Sequence, residues 1–137
     1  VLSTGGLIIS EYPPHQKEDK YSGSKASRIQ AGLSHGLILV ESSVDGGSKY
    51  TIESFSKLGR PLGVIQFSQS EDFNSNSFGA NRLIASKKIM GIAEMLNLKT
   101  SKKINVDSIT VIEGKKDYEI FCKRINDNDK IRKNTLF

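Results

Sequence analysis

Three short apolar runs, spaced by helical patterns, constrain this chain most. They are "LIISE" (7–11), "LILVE" (37–41) and "PLGVIQF" (61–67). Each is of the kind found in strands buried on both faces of a parallel sheet. Between them, "SKASRIQAGLSHG" (24–36) predicts a helix with Ala26, Ile29, Ala31 and Leu33 toward one face and Gly36 as its stop. "YTIESFSKLGR" (50–60) places Ile52, Phe55 and Leu58 at spacings of three, with Gly59 ending it. "GANRLIASKKIMGIAEMLNL" (79–98) reads as one helix, or as two with a break near Met90–Gly91. The alternation implies parallel strands at 7–11, 37–41 and 62–66, with helices 24–34 and 49–58 as crossovers.

Past residue 98 the texture changes. "LKTSKKIN" reads as a basic linker, "SITVIEG" (108–114) as one more strand and "KDYEIFCKRI" (116–125) as an amphipathic helix, before a last dozen residues expected to fray. The expected organisation is a main unit over 1–98 and a basic tail over 99–137. Charge follows the same division. Residues 1–98 hold 10 Lys/Arg against 9 Asp/Glu and residues 99–137 hold 10 against 6, so most of the net +5 sits in the tail. A basic surface favours polyanionic partners. The single Cys122 and two histidines rule out a disulfide framework and a Cys/His zinc cluster, so no metal is expected. No apolar run approaches the ~18 residues needed to cross a bilayer, and no signal peptide is recognisable, so a cytoplasmic protein without a membrane partner is expected. Val1 stands where an initiator methionine would, as in a stretch from within a longer polypeptide.

In open α/β sheets, ligands bind outside the carboxyl ends of the strands. Three stretches fall there. In "SEYPP" (10–14), Pro13 and Pro14 bar a helix and force an extended strap carrying Tyr12. In "VESSVDGGSKYTIE" (40–53), Gly46 and Gly47 permit a tight turn, and Ser48 is placed to cap the next helix, whose first N–H groups would face an anion. In "FGANRLI" (78–84), Asn81 and Arg82 open a helix, and the arginine offers a planar fork suited to phosphate. An ordinary loop exit, a capped turn and a solvated helix face are the plain alternatives.

"GLIISEYPP", "SRIQAGLSHGLILVES", "GGSKYTIESFSKLGRPLGVI" and "SFGANRLI", in that order and spacing, resemble the motifs of the DNA-processing protein A family, also called Smf. The resemblance covers roughly residues 3 to 89. It implies a Rossmann-like α/β fold, a parallel sheet with flanking helices, of which this chain carries the C-terminal half followed by the strand–helix tail. It also implies single-stranded DNA binding without catalysis or a cofactor, delivery of DNA to a RecA-type recombinase during recombination or transformation, and homodimers. On this reading Lys25, Arg28, Gly46, Gly47, Ser48, Lys49, Asn81 and Arg82 contact phosphate, and Tyr12 stacks on a base. The chain departs from the family at Ala26–Ser27, where only Arg28 of an R-N-R motif remains. It departs again at Val64–Gln66 in place of V-P-G, and at Lys49, where an apolar residue is usual. A strand edge and an apolar face left open by half a sheet would call for a partner or a second copy.

The alternative is a LOG-type nucleoside-monophosphate phosphoribohydrolase. "DGGSKYTIE" has two glycines, Thr51 and Glu53 but one residue too many for the P-G-G-x-G-T-x-x-E pattern. There Glu53 would stabilise a cationic ribosyl transition state, with Arg28 as the catalytic arginine. A nucleotide-sensing module of the same fold is a third reading.

Overall fold

The computed structural model describes residues 4–7, 9–13, 15–17, 19–67 and 71–135. Three parallel strands form one sheet: β1 (Leu37–Leu39), β2 (Arg60–Ile65) and β3 (Val106–Ile112), in that spatial order. Helices α1 (Ser22–Leu33), α2 (Ser48–Phe55), α3 (Gly79–Lys87), α4 (Ile89–Met95) and α5 (Lys115–Thr135) flank it. The α/β class with a parallel sheet is therefore as expected, and it is consistent with a Rossmann-like fold. Among the described residues no helix is long and apolar enough to cross a membrane.

The pleat decides what each face buries. Leu37 and Leu39 pair with Leu62 and Val64, and this face packs with Ile52 and Phe55 of α2, Ile84 of α3 and Ile92 and Met95 of α4 in one core. The opposite face carries Ile38, Gly63 and Ile112, and there Gly63 lies against Phe121 of α5. Pro61 sits inside the central strand, where its missing N–H would break a regular ladder. The register between β2 and β3 shifts at this point, Arg60 facing Val106 and Leu62 facing Ile109, so the irregularity absorbs the proline.

Four expectations are corrected. No described residue of 7–11 lies in a strand, and Leu7 and Ile9 are exposed, because no described strand pairs with them. The break in 79–98 falls at Lys88, with φ 53° and ψ −125°, rather than at Met90–Gly91. Gly91 serves a different end: a Cβ there would run into the carbonyl of Leu83 and stand 2.9 Å from Ile84 Cα, so glycine lets α4 fold back onto α3. The C-terminal helix does not fray after 125 but runs to Thr135. Asn128 donates to the Gly59 carbonyl at 3.1 Å, anchoring that extension, and Asp129 pairs with Lys133 at 2.7 Å within the helix. Finally, Gly36 does not stop α1, which ends at Leu33; it makes room for Ile125 and Phe121 of α5.

Candidate nucleic-acid interface

The carboxyl ends of β1 and β2 meet at one side chain. Asn81, in the first turn of α3, is wholly buried. Its Nδ2 donates to the carbonyls of Leu39 (3.1 Å), Val40 (2.9 Å) and Ile65 (3.0 Å), and its Oδ1 accepts from the Ser42 N–H (3.1 Å). Ala80 N–H donates to the Ser42 carbonyl at 2.9 Å. The start of α3 is thus tied to the loop leaving β1, and that loop leads directly into α2.

The glycines of that loop differ in function. Gly46 is closely packed, since a Cβ would stand 2.8 Å from Ser42 Oγ and 3.1 Å from the Ser43 carbonyl oxygen, whereas Gly47 has open space around it. Ser48 does not cap α2: Gly47 occupies the cap position and no side chain bonds there. The local turn already takes the Lys49 and Tyr50 N–H groups, which donate to Gly46 and Gly47. The N–H groups of Gly47 and Ser48 have no acceptor among the described residues. A helix N-terminus with open donors and a favourable dipole attracts anions.

Between the loop after β1 and the start of α3 lies an open cleft of about 640 Å³, lined by Ser43, Val44, Asp45, Asn76, Gly79 and Arg82, with Glu94 also on its wall. Arg82 reaches back into the loop before α3. Its Nη1 donates to the carbonyls of Phe73 and, at 2.7 Å, of Ser75. Glu94 is neutralised by Lys87 at 2.7 Å.

Tyr12, Lys25 and Arg28 form a second group, between the strap and α1. The Lys25 ammonium lies 5.2 Å from the centre of the Tyr12 ring and 3.9 Å from Asp19. Arg28 pairs with Glu11, and both side chains remain substantially exposed. Asp19 accepts from the Tyr21 N–H (2.8 Å) and the Ser22 hydroxyl (3.0 Å), and these bonds hold its carboxyl below the usual aspartate range. Glu53 accepts from Lys57 at 3.3 Å and does not line the Arg82 cleft.

Two features have no counterpart in the sequence reading. Arg60, at the start of β2, donates to the carbonyls of Ala31 (3.1 Å), Gly32 (2.9 Å) and Ser34, closing the C-terminus of α1. Three phenylalanines, Phe67, Phe73 and Phe78, gather in the loop between β2 and α3, with centroids 5.2 to 6.4 Å apart.

A parallel α/β sheet with helices starting at its carboxyl edge places the chain in the open α/β class, whose ligands bind outside the carboxyl ends of the strands. The family model described as DNA recombination-mediator protein A matches residues 1–100, and the chain belongs to that family. It is also similar to Protein Smf of Borreliella burgdorferi, 28% identical over 133 residues that cover 93% of this chain and 38% of that protein. The chain therefore spans well under half the length of this relative. No solved structure matches it.

Proposed function

We propose that this chain binds single-stranded DNA, without catalysing a reaction, and serves DNA processing or recombination. The observation that carries this reading is the Asn81-centred junction, which ties the start of α3 to the strand ends and to the loop leading into α2, beside an open cleft walled by Arg82. Family membership supports it, as does the net charge of +5. In this reading the open N–H groups of Gly47 and Ser48, with Lys49 and Arg82, meet phosphates, and Gly46 and Asn81 fix the loops. Lys25 and Arg28 extend the track along α1. Delivery to a RecA-type recombinase, and pairing with a second copy, belong to the same proposal by family resemblance. The contacts proposed are to phosphates, which carry no sequence information, so little sequence preference is expected.

Titrating labelled single- and double-stranded oligonucleotides at several salt concentrations tests it. Tighter binding of the single strand is expected, with a log–log salt slope of about −0.7 per phosphate neutralised. Arg28→Ala removes only an exposed ion pair, so it should cost under ~1 kcal/mol of stability yet weaken binding and flatten the slope. A folded protein that binds no single strand at low salt, or that prefers duplex, overturns the reading.

A further inference from the structure

The loop between β2 and α3 is polar in composition, yet it holds three of the six phenylalanines in the chain. Phe73 is buried at 7% exposure, while Phe67 is left 49% exposed at the carboxyl edge of the sheet. Phe67 is braced rather than adrift. The Phe73 and Phe78 rings stand nearly perpendicular to it, with centroids 6.4 and 6.0 Å away and interplanar angles of 84° and 88°. Edge-to-face packing of this kind fixes a ring's orientation. Arg82 lies 5.9 Å from the Phe73 ring centre. Its Nη1 is spent on the Phe73 and Ser75 carbonyls, and its Nε and Nη2 have no acceptor among the described residues. A fixed, half-exposed aromatic ring thus stands one ring away from a guanidinium with open donors.

We infer that Phe67 is a base-stacking platform for single-stranded DNA, with the open edge of Arg82 taking a phosphate of the same strand. This deepens the proposed function and rests on it. Charge complementarity selects this occupant: a stacked base brings its own phosphate, and the neighbouring cation is placed to meet one. An apolar peptide would leave the guanidinium edge unused. Tyr12, the ring expected to stack, already carries the Lys25 ammonium against it.

The test measures binding of labelled oligothymidylate, and of the same strand with its bases removed, to the native chain, Phe67→Ala and Phe67→Leu. Leucine keeps the apolar bulk and loses the π face, and circular dichroism confirms that each variant is folded. Both variants should bind oligothymidylate about 5- to 150-fold more weakly than the native chain, and all three should bind the abasic strand alike. The chain has no tryptophan, so Phe67→Trp supplies a single indole, excited to the red of the chain's tyrosines, whose emission the oligothymidylate should quench. If the variants bind oligothymidylate as the native chain does, the platform is refuted while DNA binding stands. If they lose the abasic strand equally, Phe67 acts through the shape of its loop and the platform is again refuted. If the native chain binds neither strand, the proposed function itself falls and takes the platform with it.

Discussion

Replacing Asn81 by alanine should be among the most damaging single changes in this chain. Its carboxamide has two N–H hydrogens shared among three carbonyls, and one oxygen that receives the Ser42 N–H. Alanine removes all of these at a site with no solvent exposure, so no water replaces them readily. Each buried group left unpaired costs roughly 1–3 kcal/mol. Two lost donations and one lost acceptance, partly offset by relaxation, give about 3–5 kcal/mol, against a total stability of roughly 5–15 kcal/mol for a domain. That corresponds to a fall in Tm of about 10–20 °C at this chain length. Urea unfolding followed by circular dichroism, with the slope m compared between variants, reads the loss directly. Asn81→Asp should fall at least as far at neutral pH, because it keeps the acceptor for Ser42 but turns an anion toward three carbonyl oxygens. A loss below ~1 kcal/mol for Asn81→Ala, at unchanged m, would refute the idea that this side chain joins the two strand ends.

Two further changes probe the α3–α4 turn in opposite directions. Gly91→Ala should destabilise toward the upper end of the ~1–3 kcal/mol typical of overpacking, because the added Cβ meets the backbone of Leu83 and Ile84, which cannot swing aside; thermal melts showing a gain from the better helix former would contradict this. Lys88→Gly should stabilise by about 1 kcal/mol, since φ 53° with ψ −125° strains any residue with a Cβ, and an unchanged or lowered Tm would show that the turn is not strained.

What the sequence disclosed depends on how locally each feature is determined. "LILVE" and "PLGVIQF" hold strands as expected, though these end at Leu39 and Ile65, because those parts meet another strand in the described fold. "LIISE" carries an equally apolar pattern, but a strand is defined by its neighbour, and none pairs with its described residues. Of the stripe expected in α1, Ala31 is buried and Ile29 half-buried, but Ala26 and Leu33 are exposed and Ser27 is buried, because the covering elements decide which face is inside. Ser27 tolerates this by donating to the Gly23 carbonyl at 3.0 Å. The glycine signal near residue 91 located the turn to within a few residues but not its purpose, since close approach of two helices is a tertiary fact. Asn81 and Arg82 read alike as a polar helix start. Only the fold separates a buried joint from a half-exposed cation. Arg60 closes a helix 26 to 29 residues away in sequence, and the three phenylalanines come together only through the path of one loop, so no spacing rule reveals either.

The joint between Ser42 and the start of α3 also bears on the entropy of recognition. Because Ser42 is held through both its N–H, by Asn81, and its carbonyl, by Ala80, the loop after β1 and the first turn of α3 have lost their independent freedom before any strand arrives. A ligand that spans the two meets a fixed separation and need not order either segment itself. Ordering each rotamer-rich side chain on binding otherwise costs about 0.5–1.5 kcal/mol. On the proposed function that cost falls on folding, and the carboxyl edge of the sheet would favour strands that fit a distance set in advance.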